Sequence, residues 1–408
     1  LNRREIMQYG LVLEGGGARG SYHVGAYKAL LDLGISIAGV TGTSIGALNG
    51  AAIVQNNLEG LEKLWETIGV DTLFGIDIEE INKLKGNNLF KLNIAYIYNL
   101  SKEILKNEGL DTTKMREIIG SFIDENKIRK SKIDFGLVTI SLTDNENLEL
   151  FKEDIPEGKL VDYLLASANL PVFKMEKLDG KHFLDGGFYD NLPIEMLARK
   201  GYKDLIAVRV HAKGRIKKIN AEGLNITYIE PVESLGEALD FDTENACKNI
   251  RLGYYDTMKV FKSLKGHKYY IRPYSKNFLK YIAEIFDNRK QKIINISNIF
   301  GFDGLPSDRM LFEKIFPRLM KILEMKDNSD YQDVIIRLVE HVAEKFEKIE
   351  RFKIYDADEF IRIVVNQFRK SPIRSEKKIP SFIRQIKLLS LTVKDDLLIT
   401  IFREIFFE

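Results

Sequence analysis

Ile35-Ser36-Ile37-Ala38-Gly39-Val40-Thr41-Gly42-Thr43-Ser44-Ile45-Gly46-Ala47-Leu48-Asn49-Gly50-Ala51-Ala52 decides how this chain is read. An apolar, strand-like run precedes a G-x-S-x-G pentapeptide, and a small-residue, helix-compatible run follows it. A serine at such a junction stands on a sharp strand-to-helix turn and projects its hydroxyl where a carbonyl can reach it. The flanking Gly42 and Gly46 allow the strained turn and a close approach by substrate. The pentapeptide alone is common, and a tight turn with an incidental serine has the same letters. The strand–turn–helix setting is what lends it weight.

Working outward toward the N-terminus, the short apolar run Tyr9-Gly10-Leu11-Val12-Leu13 leads into Gly15-Gly16-Gly17-Ala18-Arg19-Gly20 and then a helix-like stretch from Ser21. The order is again strand, glycine loop, helix. Bare backbone N–H groups at a helix N-terminus bind anions and can stabilise the oxyanion formed as an ester carbonyl is attacked. Gly15, Gly17 and Gly20 also satisfy G-x-G-x-x-G, so a dinucleotide-binding loop is a rival from another class. That rival needs an acidic residue about 20 positions on. Val40 and Thr41 stand there instead, and the second strand runs into the serine turn.

Toward the C-terminus, Lys181-His182-Phe183-Leu184-Asp185-Gly186-Gly187 places a carboxylate at a strand end, with two glycines leaving room beside it. An ordinary Asp-Gly turn is the plain alternative. Taken together, Gly15–Gly20, Gly42–Gly46 and Asp185-Gly186-Gly187 resemble the patatin-like phospholipases, whose pattern is a glycine-rich oxyanion loop, then G-x-S-x-G, then D-G-G or D-G-A. Ala166-Ser167-Ala168-Asn169-Leu170-Pro171-Val172-Phe173 is similar to the family's A-S-x-x-x-P block, and Asn191-Leu192-Pro193 is family-like too. The resemblance runs from about Gly10 to Tyr270.

The resemblance implies a Ser–Asp dyad, with Ser44 as nucleophile and Asp185 as base. The Gly15, Gly16, Gly17, Ala18, Arg19 and Gly20 loop would form the oxyanion hole, through the N–H groups of Gly16, Gly17 and Ala18. Arg19 either steadies that loop, sits near a phosphate, or is a solvated loop residue. A free Asp is a weak base for a hydroxyl, and partial burial would raise its pKa. A Ser–His–Asp arrangement competes. The histidine of that arrangement follows the acid. Of the histidines that do, only His211, after the strand-like Leu205–Val210, could stand on a strand end, whereas His267 and His341 lie in polar, helix-like surroundings.

Composition narrows the rest. A chain of 408 residues with 45% hydrophobic content is a folded globular protein of one large domain or two to three smaller ones. Net charge of +2 argues against a dedicated nucleic-acid binder. The single cysteine, Cys247, excludes an intramolecular disulfide and fits a reducing compartment. Zinc-ligand spacing is absent, and the chemistry requires neither metal nor organic cofactor. No secretion signal and no apolar run of about 18 residues is visible. A cytoplasmic location is therefore expected, with peripheral membrane contact as a further option. That contact would use the basic and apolar stretch Arg369–Lys387 on an anionic surface; a solvated loop between packed helices is the competing account.

Short apolar runs alternate with helical segments up to about Val210, which predicts an α/β layered fold with a mainly parallel sheet flanked by helices. Strands are expected at Gly10–Leu13, Ile37–Thr41, Phe135–Leu142, Leu148–Lys152, Lys181–Leu184 and Leu205–Val210. Sites in such sheets gather at the carboxyl ends of strands, where both glycine loops and Asp185 fall. Asp71–Leu110 is irregular and reads as a lid, an acyl-chain surface or a packed insertion. Arg251-Leu252-Gly253-Tyr254-Tyr255-Asp256 reads as structural. The expected division is a catalytic domain over 7–275 and a mostly helical C-terminal domain over 276–408. The function so read is serine acyl hydrolysis of lipid esters, phospholipids foremost. A lysophospholipase or acyltransferase would use the same residues, and a membrane-associated adaptor keeping the fold is the alternative class.

Overall fold

β1 (Gln8–Leu13) has Leu11, Val12 and Leu13 wholly buried. A run apolar on both faces suits a central parallel strand with layers packed above and below it. β2 (Ser36–Thr43) and β6 (Asp204–Val208) flank it, both parallel. β3 (Asp134–Ser141) lies parallel to β2, and β7 (Asn225–Ile229) parallel to β6. β4 (Glu146–Phe151) closes the β3 edge antiparallel, giving the order β4-β3-β2-β1-β6-β7. The mainly parallel sheet expected from the sequence is thus present. β7 was not among the expected strands. It is an edge strand with only Ile229 buried, so its apolar signal is weak.

The computed structural model describes residues 8–69, 72–73, 111–171, 173–174, 177–178, 180–274, 290–326, 329–373 and 391–407. Most of the Asp71–Leu110 segment and the part of Arg369–Lys387 beyond residue 373 lie outside the described residues.

One strand sets the site. β3 is offset from its neighbour β2 and extends past its end, where the pairing stops at Thr43 opposite Val138. On the same side of β3, the short β5 (Phe183–Asp185) takes over, antiparallel, beginning with Asp185 opposite Thr139. β5 therefore runs back toward the end of β2, and adjacent residues of β3 hold Thr43 and Asp185.

The helices of this part are α1 (Ser21–Asp32), α2 (Ile45–Val54), α3 (Leu58–Thr67), α4 (Thr113–Phe122), α5 (Glu125–Lys130), α6 (Leu160–Ser167), α7 (Ile194–Arg199) and α8 (Thr243–Phe261). α2 lies close on the sheet, where Gly50 faces Val40 and Phe135. α1 and α8 approach through Gly25 and Gly253. A Cβ at Gly25 would collide with the Ile250 carbonyl, and one at Gly253 with that of Tyr22. Tyr22 and Tyr254 donate hydrogen bonds to Asp256 (2.9 Å) and Asp32 (2.8 Å) across the same contact. The Arg251–Asp256 block thus has a packing role.

By contacts the chain divides into Leu1–Thr257 and Met258–Glu408, inside α8. The expected division at 275/276 falls within the second unit, because Tyr269 and Ile271 are buried in that unit's core. The second unit pairs β8 (Tyr270–Arg272) with β9 (Ile354–Asp356) in parallel. Its helices are α9 (Lys290–Phe300), α10 (Ser307–Met310), α11 (Phe316–Ile322), α12 (Tyr331–Ala343), α13 (Ala357–Lys370) and α14 (Leu391–Phe406), with a π turn over Leu311–Ile315. Phe316, Leu338, Phe360 and Phe402 are fully buried among them. Glu340 of α12 is buried too, and accepts the N–H groups of His267 (2.8 Å), Lys268 (3.1 Å) and Tyr269 (2.8 Å).

Candidate active site

Thr43 ends β2 and Ile45 begins α2, so Ser44 makes the whole turn between them, at φ 56° and ψ −125°. Backbone of this kind costs a residue with a Cβ about 1–3 kcal/mol and persists only where its surroundings impose it. Here the Ser44 N–H donates to Ser167 Oγ (3.0 Å), which itself donates to the Val138 carbonyl (2.7 Å). The Ser44 carbonyl accepts from Ala47 and Leu48 of α2. The two glycines of the pentapeptide are required by space: a Cβ at Gly42 would strike the Gly46 backbone, and one at Gly46 the Leu13 carbonyl.

Asp185 arrives from β5. Its N–H donates to the Asn169 carbonyl (2.8 Å), and its Oδ1 accepts the Gly187 N–H (2.7 Å). Gly186 lets this loop lie against β3, since a Cβ there would collide with the Val138 carbonyl. Asp185 as a whole is 3% exposed. Burial pushes its pKa up from 3.8 to about 6, opposed by the nearby Ser44 hydroxyl and by the Gly187 N–H. Oδ2 nonetheless has no hydrogen bond of its own among the described residues. Ser44 and Asp185 line one cleft of about 290 Å³ with Gly15, Gly16 and Gly17.

The glycine loop is fixed from several sides. Gly15 N–H donates to the Asn191 carbonyl (3.0 Å), and Asn191 Nδ2 donates back to the Gly15 carbonyl (3.1 Å). Gly17 takes φ +57°, and a Cβ there would strike the Ala238 carbonyl. Ala18, expected to face an oxyanion, instead donates its N–H to that carbonyl at 2.7 Å. Its shape is a short 3-10 turn, in which the Arg19 N–H folds back to Gly16 O. Among the described residues the N–H groups of Gly16 and Gly17 have no protein partner, so the donors available to an anion narrow to these two. Arg19 steadies the loop: Nε donates to Gly236 O (2.8 Å) and Nη1 to His211 O (2.6 Å). His211 enters through its backbone, and its imidazole is not among the cleft-lining groups.

Several residues that shape the site carried no role in the sequence. Ser167 and Asn169 lie in a block recognisable only by resemblance, and their work is to hold the serine turn and the Asp185 strand. Asn191 clasps Gly15. Glu14 is completely buried, and its Oε2 accepts the N–H groups of Val210 (2.6 Å) and His211 (3.1 Å). Burial raises its pKa, with those N–H groups and Arg209 opposing. An acid directly after the buried Leu11-Val12-Leu13 was the available signal. A second recess of about 80 Å³ is almost wholly apolar, lined by Ile45 and Leu48 of α2, Trp65 of α3, Ile119 of α4 and Phe241.

Residues 11–198 match the family model described as patatin-like phospholipase. Lysophospholipase NTE1 of Mycosarcoma maydis is 28% identical over 207 residues, 50% of this chain and 10% of that protein. Lysophospholipase NTE1 of Kluyveromyces lactis is 26% identical over 308 residues, 72% of this chain and 19% of that protein. The chain therefore spans a fifth or less of the length of these curated relatives. Among solved structures, VipD from Legionella pneumophila aligns with a TM-score of 0.38 at 15% identity, over 98% of this chain and 92% of that one. Residues 11–198 are thus similar to the patatin-like phospholipases and form a domain of that type, which is as far as the match extends along the chain.

Proposed function

We propose that this chain hydrolyses carboxylic esters of lipids, phospholipids or lysophospholipids foremost, through a Ser44–Asp185 dyad. The observation that carries this is a serine held at a strained turn beside a buried carboxylate that has an unpartnered oxygen and a pKa near 6. A carboxylate in that range is a stronger base than a solvated one, yet is still mostly ionised at neutral pH.

Asp185 takes the hydroxyl proton as Ser44 Oγ bonds to the ester carbon. The carbonyl oxygen becomes an oxyanion, held by the N–H groups of Gly16 and Gly17, and donors of this kind are worth about 10²–10³ each in turnover. Collapse breaks the ester C–O bond. The leaving alkoxide takes the proton from Asp185, and an acyl-Ser44 ester remains. Water then gives a proton to Asp185 and attacks, and the fatty acid leaves as Ser44 regains its hydrogen. The apolar recess that begins at Ile45, one residue from the nucleophile, suits an acyl chain. Among the described residues no helix is long and apolar enough to cross a membrane, and lipid would be met at its surface.

Fatty-acid release from phosphatidylglycerol vesicles tests this. Ser44→Ala should fall to background while keeping the wild-type circular dichroism. Release undiminished in the folded variant removes Ser44 from the chemistry.

A further inference from the structure

The cleft carries charge that this acyl-transfer chemistry does not use. The segment after β6 puts four cations in six positions: Lys213, Arg215, Lys217 and Lys218. Lys217 is engaged by Glu149 (2.9 Å) and Glu195 (3.5 Å), and the preceding Arg209 by Glu230 (2.9 Å). Lys213 and Arg215 differ. Both are exposed, both line the cleft with Ser44 and Asp185, and among the described residues neither meets a carboxylate.

Their positions are set by the backbone. The Arg215 N–H donates to the Gly187 carbonyl (2.9 Å), and the Arg215 carbonyl accepts from Asn191 N–H (2.6 Å). Gly214 lies against the Asn191 side chain, where a Cβ would collide. At the other end of the strap, His211 is tied to Glu14 and Arg19. The two cations thus ride on a strap fastened both to the loop that follows Asp185 and to the loop with the free amides. The third cation of the cleft, Arg19, has donors engaged by two carbonyls. The acidic lining is Asp185, which is buried, and Glu237. The unpaired charge facing the cleft is therefore mainly positive. A planar guanidinium beside an ammonium fits the oxygens of a phosphate.

We propose that Lys213 and Arg215 receive the head-group phosphate of the lipid whose ester is attacked, so that the preferred substrate is a glycerophospholipid rather than a neutral glyceride. The inference rests on the hydrolase function proposed above. Its test compares dihexanoyl phosphatidylglycerol with dihexanoylglycerol, both as monomers below their aggregation concentrations. The readout is the ratio of the two kcat/KM values. Lys213→Gln/Arg215→Gln should lower that ratio about 10- to 100-fold, and Lys213→Arg/Arg215→Lys should restore most of it. In the wild type the ratio should decline as salt is raised, a measurement that needs no variant. An unchanged ratio in the double Gln variant would overturn the assignment, and so would equal loss on both esters, which marks the strap as structural only. A shift seen on vesicles and not on monomers would overturn it too, by showing that the cations read a membrane surface. Wild-type protein that cleaves neither ester would instead sink the hydrolase function itself, and this inference with it.

Discussion

Asp185→Asn should stabilise the protein as it inactivates it, and the stabilisation should depend on pH. In the folded chain burial lifts the Asp185 carboxyl from 3.8 to about 6. Between those values the folded state holds a proton that the unfolded state has released. The stability contributed by the neutral acid is thus complete below pH 3.8 and is lost as pH rises through about 6. At about 1.4 kcal/mol for each pH unit, the wild type carries a penalty of about 3 kcal/mol at pH 8. Asparagine cannot ionise, keeps an oxygen for the Gly187 N–H, and puts its amide where Oδ2 lacks a partner. Asp185→Asn should therefore gain about 1–3 kcal/mol at pH 8 and almost nothing near pH 4. Urea unfolding followed by the fluorescence of Trp65, the single tryptophan and a buried residue of the first unit, measures this directly. A gain of equal size at both pH values, or a loss at pH 8, would refute the reasoning.

The same carboxyl predicts the pH profile: kcat/KM on a soluble ester should rise about tenfold per unit below pH 5 and level off above about 6, and a flat acid limb would assign the base elsewhere. Ser167→Ala removes the hydroxyl between the Ser44 N–H and the Val138 carbonyl. It should cost about 1–3 kcal/mol in urea unfolding and lower kcat more than it raises KM. Glu340→Leu strands the N–H groups of His267, Lys268 and Tyr269. Hydrogen exchange should accelerate across α12 and β8, with a loss of about 3 kcal/mol or more, whereas exchange equal to wild type would show those groups to be solvated.

The strands that bear the site were legible because their chemistry is local. Leu11–Leu13 and Ile37–Val40 are apolar runs ending in glycine turns, and the letters at Ser44 and Asp185 carry their own conformational demands. What brings those two side chains together was not legible. It is the offset of β3 past the end of β2, which lets β3 pair with Thr43 at one residue and with Asp185 at the next, and no local pattern encodes a shared partner strand. Ala18 illustrates the same limit. Its amide is drawn to Ala238, more than two hundred residues away, so the loop's sequence promised a donor that tertiary structure diverts. Lys213 and Arg215 were hidden in another way: a basic run reads as solvated, and only its fastening to Gly187, Asn191 and Glu14 puts it at the cleft. The edge strand β7 lacked the buried alternation that would have announced it.

Covalent labelling is the most direct test of the central claim that Ser44 is an activated nucleophile. A fluorophosphonate incubated with the folded protein should add one phosphonyl group, mapped to Ser44 by peptide mass spectrometry, and labelling should collapse in Asp185→Asn. Folded wild-type protein that leaves Ser44 unmodified, or that is labelled at another residue, would contradict the account.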